Sequence, residues 1–271
     1  MNMELRTAFV GLGQQGGPMA ERMLAAGYPV TVWARRVEAL TPFAKAGATV
    51  ADSLADLAAN ADHIGICVID DAGVAQICDT LIPIMKAGSL LAIHSTILPE
   101  SCEALAIRCA GAGVEFLDAP VSGGGGAAAA GTLTVMCGGS EAGFAQAKPV
   151  FESFAGTLVH LGPAGSGQRA KIVNNALMAA NMGLAHAALG AGADLGIDRK
   201  ALGELIKASS GRSFGVEVYA RLPNPAAFVH GAPLLVKDVN LLRNILPDSE
   251  EAALLRDTAK TFLEAATGKP L

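Results

Sequence analysis

Thr7-Ala8-Phe9-Val10-Gly11-Leu12-Gly13-Gln14-Gln15-Gly16-Gly17-Pro18-Met19 decides the reading of the whole chain. An apolar run is cut by Gly-x-Gly-x-x-Gly, and a helical pattern starts at once. A strand, a tight turn and a helix in that order let three glycines do three jobs. The first permits the turn, the second lets a pyrophosphate come close to the backbone, and the third lets helix and strand pack closely. Free N–H groups at the start of the helix then face the phosphates. The stretch predicts a dinucleotide loop made by Gly11, Leu12, Gly13, Gln14, Gln15 and Gly16.

Outward from this loop, short apolar runs alternate with helical patterns as far as residue 160. Strands are predicted at 5–10, 29–33, 48–50, 63–68, 89–93, 114–117, 132–137 and 157–160. Helices are predicted at 16–26, 37–46, 73–85, 99–112 and 141–154. That alternation marks a mainly parallel sheet with crossover helices. Residues 123–130 are low in complexity and are assigned no element. Gly, Pro and Ser cluster at 162–167, and no strand signal follows. Residues 168–196 form one long Ala-rich helical stretch, with further helices at 199–208, 233–246 and 249–266, separated by Gly and Pro. The chain therefore divides into an α/β domain, 1–163, and an all-helical domain, 164–271.

Composition narrows the function. Of 271 residues, 51% are hydrophobic and only 4% aromatic, so a large core must be built from Ala, Val, Leu and Ile. With 20 basic against 25 acidic residues the net charge is −5, without the basic excess that phosphate contacts to nucleic acid need. The five cysteines form no CxxC pair, which argues for reduced thiols in a cytoplasmic protein and against a metal site. Glu4 and Arg6 lead straight into a strand, with no signal-peptide pattern. Residues 173–193 carry no formal charge and are long enough for a membrane span, but Asn174, Asn175, Asn181 and His186 interrupt them. A helix buried inside a soluble protein is the expectation.

The second strand chooses the cofactor. NAD binding usually places a carboxylate there for the ribose hydroxyls. Here Trp33 is followed by Ala34, Arg35 and Arg36. Two guanidiniums suit a 2′-phosphate, so NADP is expected over NAD. Val68 and Ile69, at the end of the strand predicted at 63–68, complete the expected cofactor contacts on this side.

Two further stretches carry chemistry. Asp118-Ala119-Pro120-Val121-Ser122-Gly123-Gly124 offers a hydroxyl and unhindered N–H groups, a concavity that binds anions such as a carboxylate. Gly165-Ser166-Gly167-Gln168-Arg169-Ala170-Lys171-Ile172-Val173-Asn174-Asn175 opens the long helix. Lys171 and Asn175 are four apart and share a face. A lysine desolvated on an apolar helix has its pKa driven toward neutrality, where it exchanges protons readily. The bland alternative is a snorkelling surface lysine.

Taken together with Ser95-Thr96 before Pro99, Gly131-Thr132-Leu133-Thr134-Val135-Met136 and Lys237-Asp238, these motifs resemble the β-hydroxyacid dehydrogenase family over residues 7–240. The resemblance implies a Rossmann domain, a helical substrate domain and a homodimer or homotetramer. It also implies an NADP-dependent oxidoreductase that interconverts a small β-hydroxy acid and its semialdehyde or keto form. By the same resemblance Lys171 is the general acid/base, Asn175 orients the substrate and Asn174 supports it. Ser122, Gly123 and Gly124 hold the substrate carboxylate, and Arg212 and Phe214 line the pocket. Thr96 and Lys237 reach the nicotinamide end, and Asp238 fixes Lys237 or its helix.

The chain departs from the family pattern at Gln15, Arg22, Ala187 and the short segment after Pro247. An imine reductase on the same scaffold is the enzymatic alternative, and Lys171 with the intact Ser-Gly-Gly turn argues against it. A cofactor-binding interaction module is the non-enzymatic alternative. The retained lysine and the acidic net charge argue against that.

Overall fold

In the computed structural model the described residues are 5–246 and 249–271, with Asn244 described by its backbone alone. Glu4 and Pro247, both used in the reading above, lie outside them. Contacts divide the chain into two compact units, Met1–Lys171 and Ile172–Leu271.

The first unit starts with β1 (Thr7–Val10), α1 (Gly16–Ala25), β2 (Val30–Trp33) and a 3-10 turn at Val37–Ala39. α2 (Thr41–Lys45), β3 (Thr49–Val50), α3 (Leu54–Asn60), β4 (His63–Ile66), α4 (Asp71–Leu81) and β5 (Leu90–Ile93) follow. Then come α5 (Pro99–Gly111), β6 (Glu115–Asp118), β7 (Val121–Ser122), α6 (Gly124–Ala130), β8 (Leu133–Gly139), α7 (Glu141–Phe151) and β9 (Ala155–His160). The strand order is β3-β2-β1-β4-β5-β6-β8-β7, with β9 paired to β8. From β3 to β6 every pairing is parallel, and β8 runs antiparallel to both β6 and β7. The order reverses beside β1, and a dinucleotide binds at such a switch point.

β1, β4 and β5 are buried at every residue, as parallel strands covered by helices on both faces must be. Successive side chains point to opposite faces, so each strand feeds two cores. Phe9, Leu90 and Ala92 join Met19, Val32, Phe151 and Phe154 on one side. Val10, Leu91 and Ile93 join Ile64, Leu81, Cys102 and Phe116 on the other. This is the Rossmann-like α/β arrangement expected from the sequence.

Several local features differ from the sequence reading. α3, which the reading passed over, is capped by Ser53 Oγ, which accepts from the Asp56 N–H at 3.1 Å. The low-complexity run forms α6, closed by Gly131 in the left-handed region. Residues 37–46 are a 3-10 turn and a short helix rather than one helix, because Pro42 starts a new one.

α8 (Ser166–Asp194) begins in the first unit and continues into the second. The second unit adds α9 (Arg199–Lys207), α10 (Phe214–Tyr219), α11 (Ala232–Ile245) and α12 (Glu250–Thr267). Its core joins Ile172, Ala176, Met182 and Leu189 of α8 to Tyr219, Leu242, Phe262 and Leu263. By length and composition alone α8 is long and apolar enough to cross a membrane. Only one of its faces is buried, and Val173, Leu177 and Leu184 are exposed. The helix expected to be buried is thus buried on one face and exposed on the other. An Ala-rich helix has little amphipathic contrast from which a buried face can be read.

Candidate active site

In the first unit the three glycines of the loop meet three different surroundings. A Cβ on Gly11 would collide with the Cys67 carbonyl, and φ at Gly11 is +97°. A Cβ on Gly16 would collide with the Gly11 carbonyl and lie 2.9 Å from the Phe9 ring. A Cβ on Gly13 would meet nothing within 4 Å. Two glycines are therefore demanded by protein packing. The third faces open space, and a bare backbone bordering open space is what a pyrophosphate approach requires. The adjoining cleft, about 270 Å³, is lined by Gly11, Leu12, Gly13, Trp33, Ala34, Arg35, Arg36 and Val68. Arg35, Arg36 and Ile69 are exposed. The residues present fit a dinucleotide phosphate.

The same unit brings the second glycine motif up to the first. A Cβ on Gly125 would lie 2.6 Å from the Gln14 carbonyl, so the start of α6 sits against the loop. Ser122 and Gly124 are half-buried, and Gly123, φ +129°, is exposed. Arg22, one of the departures from the family pattern, donates from Nε to the Ser153 carbonyl at 3.0 Å, with its guanidinium under Gly131.

A buried polar network joins the strand ends to the start of α8. Ser95 Oγ accepts from the Val68 N–H at 2.8 Å. The Gln168 side chain donates to the Ser95 carbonyl at 2.8 Å and accepts from the Ile97 N–H at 3.2 Å. Asp118 accepts from the Gly165 N–H at 2.7 Å and from the Gln168 N–H at 2.8 Å. Its carboxylate thus caps the first turn of α8. Burial pushes the Asp118 carboxyl above the usual carboxylate range, and the backbone N–H groups pull the other way. The close approach needs Gly138, where a Cβ would lie 2.8 Å from the Pro163 carbonyl and 2.9 Å from the Gly167 nitrogen. Thr96 is half-buried, between the two peptides that Gln168 grips. Lys171, one turn beyond Gln168, is 8% exposed.

In the second unit Asn175 is buried and donates from Nδ2 to Asp238 Oδ2 at 2.6 Å. Asn174 donates to Asn175 Oδ1 at 3.3 Å. Lys237 Nζ stands 3.0 Å from Asp238 Oδ1, an ion pair in which that oxygen receives no aligned hydrogen bond among the described residues. Asp238 thus joins Asn174, Asn175 and Lys237 into one group. Arg212 pairs elsewhere, its Nε donating to Glu217 Oε1 at 2.8 Å. Phe214 is exposed at the start of α10.

The sequence reading missed the roles of Asp118 and Gln168, although both stood inside quoted motifs. An acid and an amide flanked by glycines and apolar residues were the available signal. The thiols offer no nucleophile: burial pushes Cys78, Cys109 and Cys137 up to about 12.

Comparison with known proteins agrees with this geometry. Residues 6–162 match the model for the NAD binding domain of 6-phosphogluconate dehydrogenase. Residues 165–269 match the model for the NAD-binding region of NADP-dependent 3-hydroxyisobutyrate dehydrogenase. The chain belongs to the β-hydroxyacid dehydrogenase family. The human mitochondrial 3-hydroxyisobutyrate dehydrogenase is 35% identical over 263 residues, covering 93% of this chain and 78% of that protein. The NAD-dependent L-serine dehydrogenase of Pseudomonas aeruginosa is 36% identical over 253 residues, covering 86% and 83%. The solved 3-hydroxyisobutyrate dehydrogenase of Mycobacterium tuberculosis with L-serine superposes with a TM-score of 0.84 at 28% identity, covering 97% and 96%. A reductive aminase from Aspergillus terreus, 20% identical with a TM-score of 0.66, shares the fold alone. The family places this chain among hydroxyacid dehydrogenases with an NAD(P)-binding Rossmann domain.

Proposed function

We propose that the protein is an NADP-dependent dehydrogenase of a small β-hydroxy acid, which it interconverts with the semialdehyde. One observation carries the reading: a lysine 8% exposed, on a helix whose first turn is hydrogen-bonded to the segment around Thr96. NADP⁺, when bound, supplies the hydride acceptor. Lys171 takes the proton of the substrate hydroxyl in oxidation and returns it to the forming alkoxide in reduction. Its charge also stabilises that oxygen in a site shielded from water. Ser122 and the N–H groups of Gly123 and Gly124 hold the carboxylate, which fixes its distance from the reacting carbon. Asn175, fixed by Asp238, orients the substrate, and Asn174 supports it.

The substrate class follows from what related proteins act on. Both 3-hydroxyisobutyrate and L-serine carry a hydroxymethyl group one carbon from a carboxylate, and the chain is similar to dehydrogenases named for each. Exposed Arg35 and Arg36 on the cleft, with no carboxylate at the end of β2, support NADP over NAD. Thr96 and Lys237 belong to the nicotinamide end, and Arg212 and Phe214 to the substrate pocket. The resemblance also supports a cytoplasmic homodimer or homotetramer.

The test is turnover of hydroxy acids, semialdehydes and cyclic imines with each nicotinamide cofactor. Semialdehyde reduction is expected, with a higher kcat/KM for NADPH than for NADH. Lys171→Ala should lower kcat by about 10³-fold, the scale of a lost general acid/base, with NADPH still bound. Reduction of cyclic imines alone would favour the imine reductase reading. Wild-type kcat in Lys171→Ala would remove the lysine from the chemistry.

A further inference from the structure

We propose that Gln168 is a positioning residue that sets the spacing between Thr96 and Lys171. The inference rests on the reading above, in which these two residues serve the nicotinamide and the proton transfer. Gln168 is fully buried. Its side-chain amide spans more than seventy residues of chain to hold the carbonyl of Ser95 and the N–H of Ile97. Those two groups belong to the two peptide bonds on either side of Thr96, so the backbone around Thr96 is gripped from both ends. The hydrogen bonds also fix which end of the amide is which, because one partner is an acceptor and the other a donor.

Gln168 is equally fixed at its own backbone. Its N–H goes to Asp118, which also holds the Gly165 N–H, so the rotation and height of the first turn of α8 are set. Arg169 adds an outer tie to Glu103 of α5 at 2.6 Å. Lys171 lies three residues beyond Gln168 on the same helix, one turn along and on nearly the same side. Moving the amide from its two partners therefore moves the lysine relative to Thr96. Gln168 touches no reacting atom and acts through the backbone that it holds.

Three measurements on the full chain test this. The first is amide exchange at Ile97 in the cofactor-free protein, followed by NMR. Gln168→Leu removes the acceptor and should speed exchange of that N–H. The second is steady-state kinetics. Gln168→Leu should lose about 10–100-fold in kcat, the scale of an ångström-level misplacement, without a matching rise in KM or weaker NADPH binding. The third is Gln168→Glu, which also serves if Gln168→Leu fails to fold. The protonated carboxyl reproduces both hydrogen bonds, whereas the carboxylate loses the donor to Ser95. The buried Cys102 thiol faces the new group, and the Asp118 carboxyl sits at the same residue's backbone N–H, so a further negative charge is poorly hosted there. The ratio of its kcat to that of wild type should therefore fall as pH rises.

A ratio that stays flat while the new carboxyl ionises, as followed by NMR, or wild-type kcat in a folded Gln168→Leu, overturns the positioning role and leaves the dehydrogenase reading standing. A wild-type protein that binds NADPH but turns over no hydroxy acid or semialdehyde overturns the reading beneath both.

Discussion

The two units are built by opposite means. In the first, backbone meets backbone: Gly11, Gly16, Gly125 and Gly138 each sit where a side chain would strike a main-chain atom. Its polar core is closed by hydrogen bonds from Asp118, Ser95 and Gln168 to main-chain groups. In the second, side chains meet side chains. Asn175 bonds to Asp238, the Tyr219 hydroxyl meets His186 Nδ1 at 2.8 Å, and Arg199 lies over the Tyr219 ring. Gly190 borders open space, and a Cβ on Gly192 or Gly231 would press on the side chain of Leu202 or Phe228. Gly215, with a Cβ 3.1 Å from the Met178 carbonyl, is the exception that approaches main chain. Backbone contacts tolerate no atom more, so the first unit is the brittle one. Side-chain contacts can repack, so the second is the more forgiving.

The sharpest way to break this contrast is Gly138→Ala. The new methyl would press on Asp118 Oδ1, the Pro163 carbonyl and the Gly167 nitrogen, all needed where α8 starts. A cost of about 3 kcal/mol is expected, because two of these atoms are main chain and the third, Asp118 Oδ1, is held in place by the Gly165 N–H. Urea denaturation would read it. A loss below about 1 kcal/mol would mean that the joint yields and the contrast is wrong.

This contrast also explains what was legible in the sequence. Backbone demands leave a trace that depends on residue type, since only glycine satisfies them. The dinucleotide loop and the Ser-Gly-Gly turn were therefore readable, while the order of the strands was not. Gln168 and Asp118 stood in view, but their partners are main-chain groups some fifty to seventy residues away, which no local pattern encodes. α6 was unread because glycine and alanine state no preference for a face, and its packing against Gln14 is what shapes it. The exposed stripe of α8 was hidden for a related reason. Leu177 and Leu184 look the same in sequence as buried Ile172 and Leu189.

Acid offers a second way to strain the first unit. His63 and His94 are buried against Phe9, Phe151 and Phe154. His94 Nδ1 bonds to the Ala119 carbonyl at 2.8 Å, while His63 Nδ1 and His94 Nε2 have no partner among the described residues. Burial lowers their pKa values to about 3 and about 4, against 6.5 when exposed. Both therefore stay neutral in the folded state while the unfolded chain takes up protons. Their contribution is fully present above about pH 6.5 and is lost as pH falls toward about 4. Between pH 7.5 and 4.5 each should cost the fold about 2–3 kcal/mol, at about 1.4 kcal/mol per pH unit. Denaturation midpoints across that range should drop, and His63→Leu should flatten part of the slope. An unchanged slope in that variant would assign the acid sensitivity to other groups.

The smallest effect has the opposite sign and belongs to the second unit. Gly190 lies inside α8, exposed, and a Cβ there would meet nothing within 4 Å. Nothing in its surroundings demands glycine, and glycine inside a helix costs backbone entropy that alanine does not. Gly190→Ala should raise stability by about 0.5–1 kcal/mol and leave turnover unchanged. The same Gly→Ala change would then weaken one unit by several times what it adds to the other. A destabilised Gly190→Ala would mean that this face of α8 is covered closely in the assembled protein, and that the contrast between the units fails at this helix.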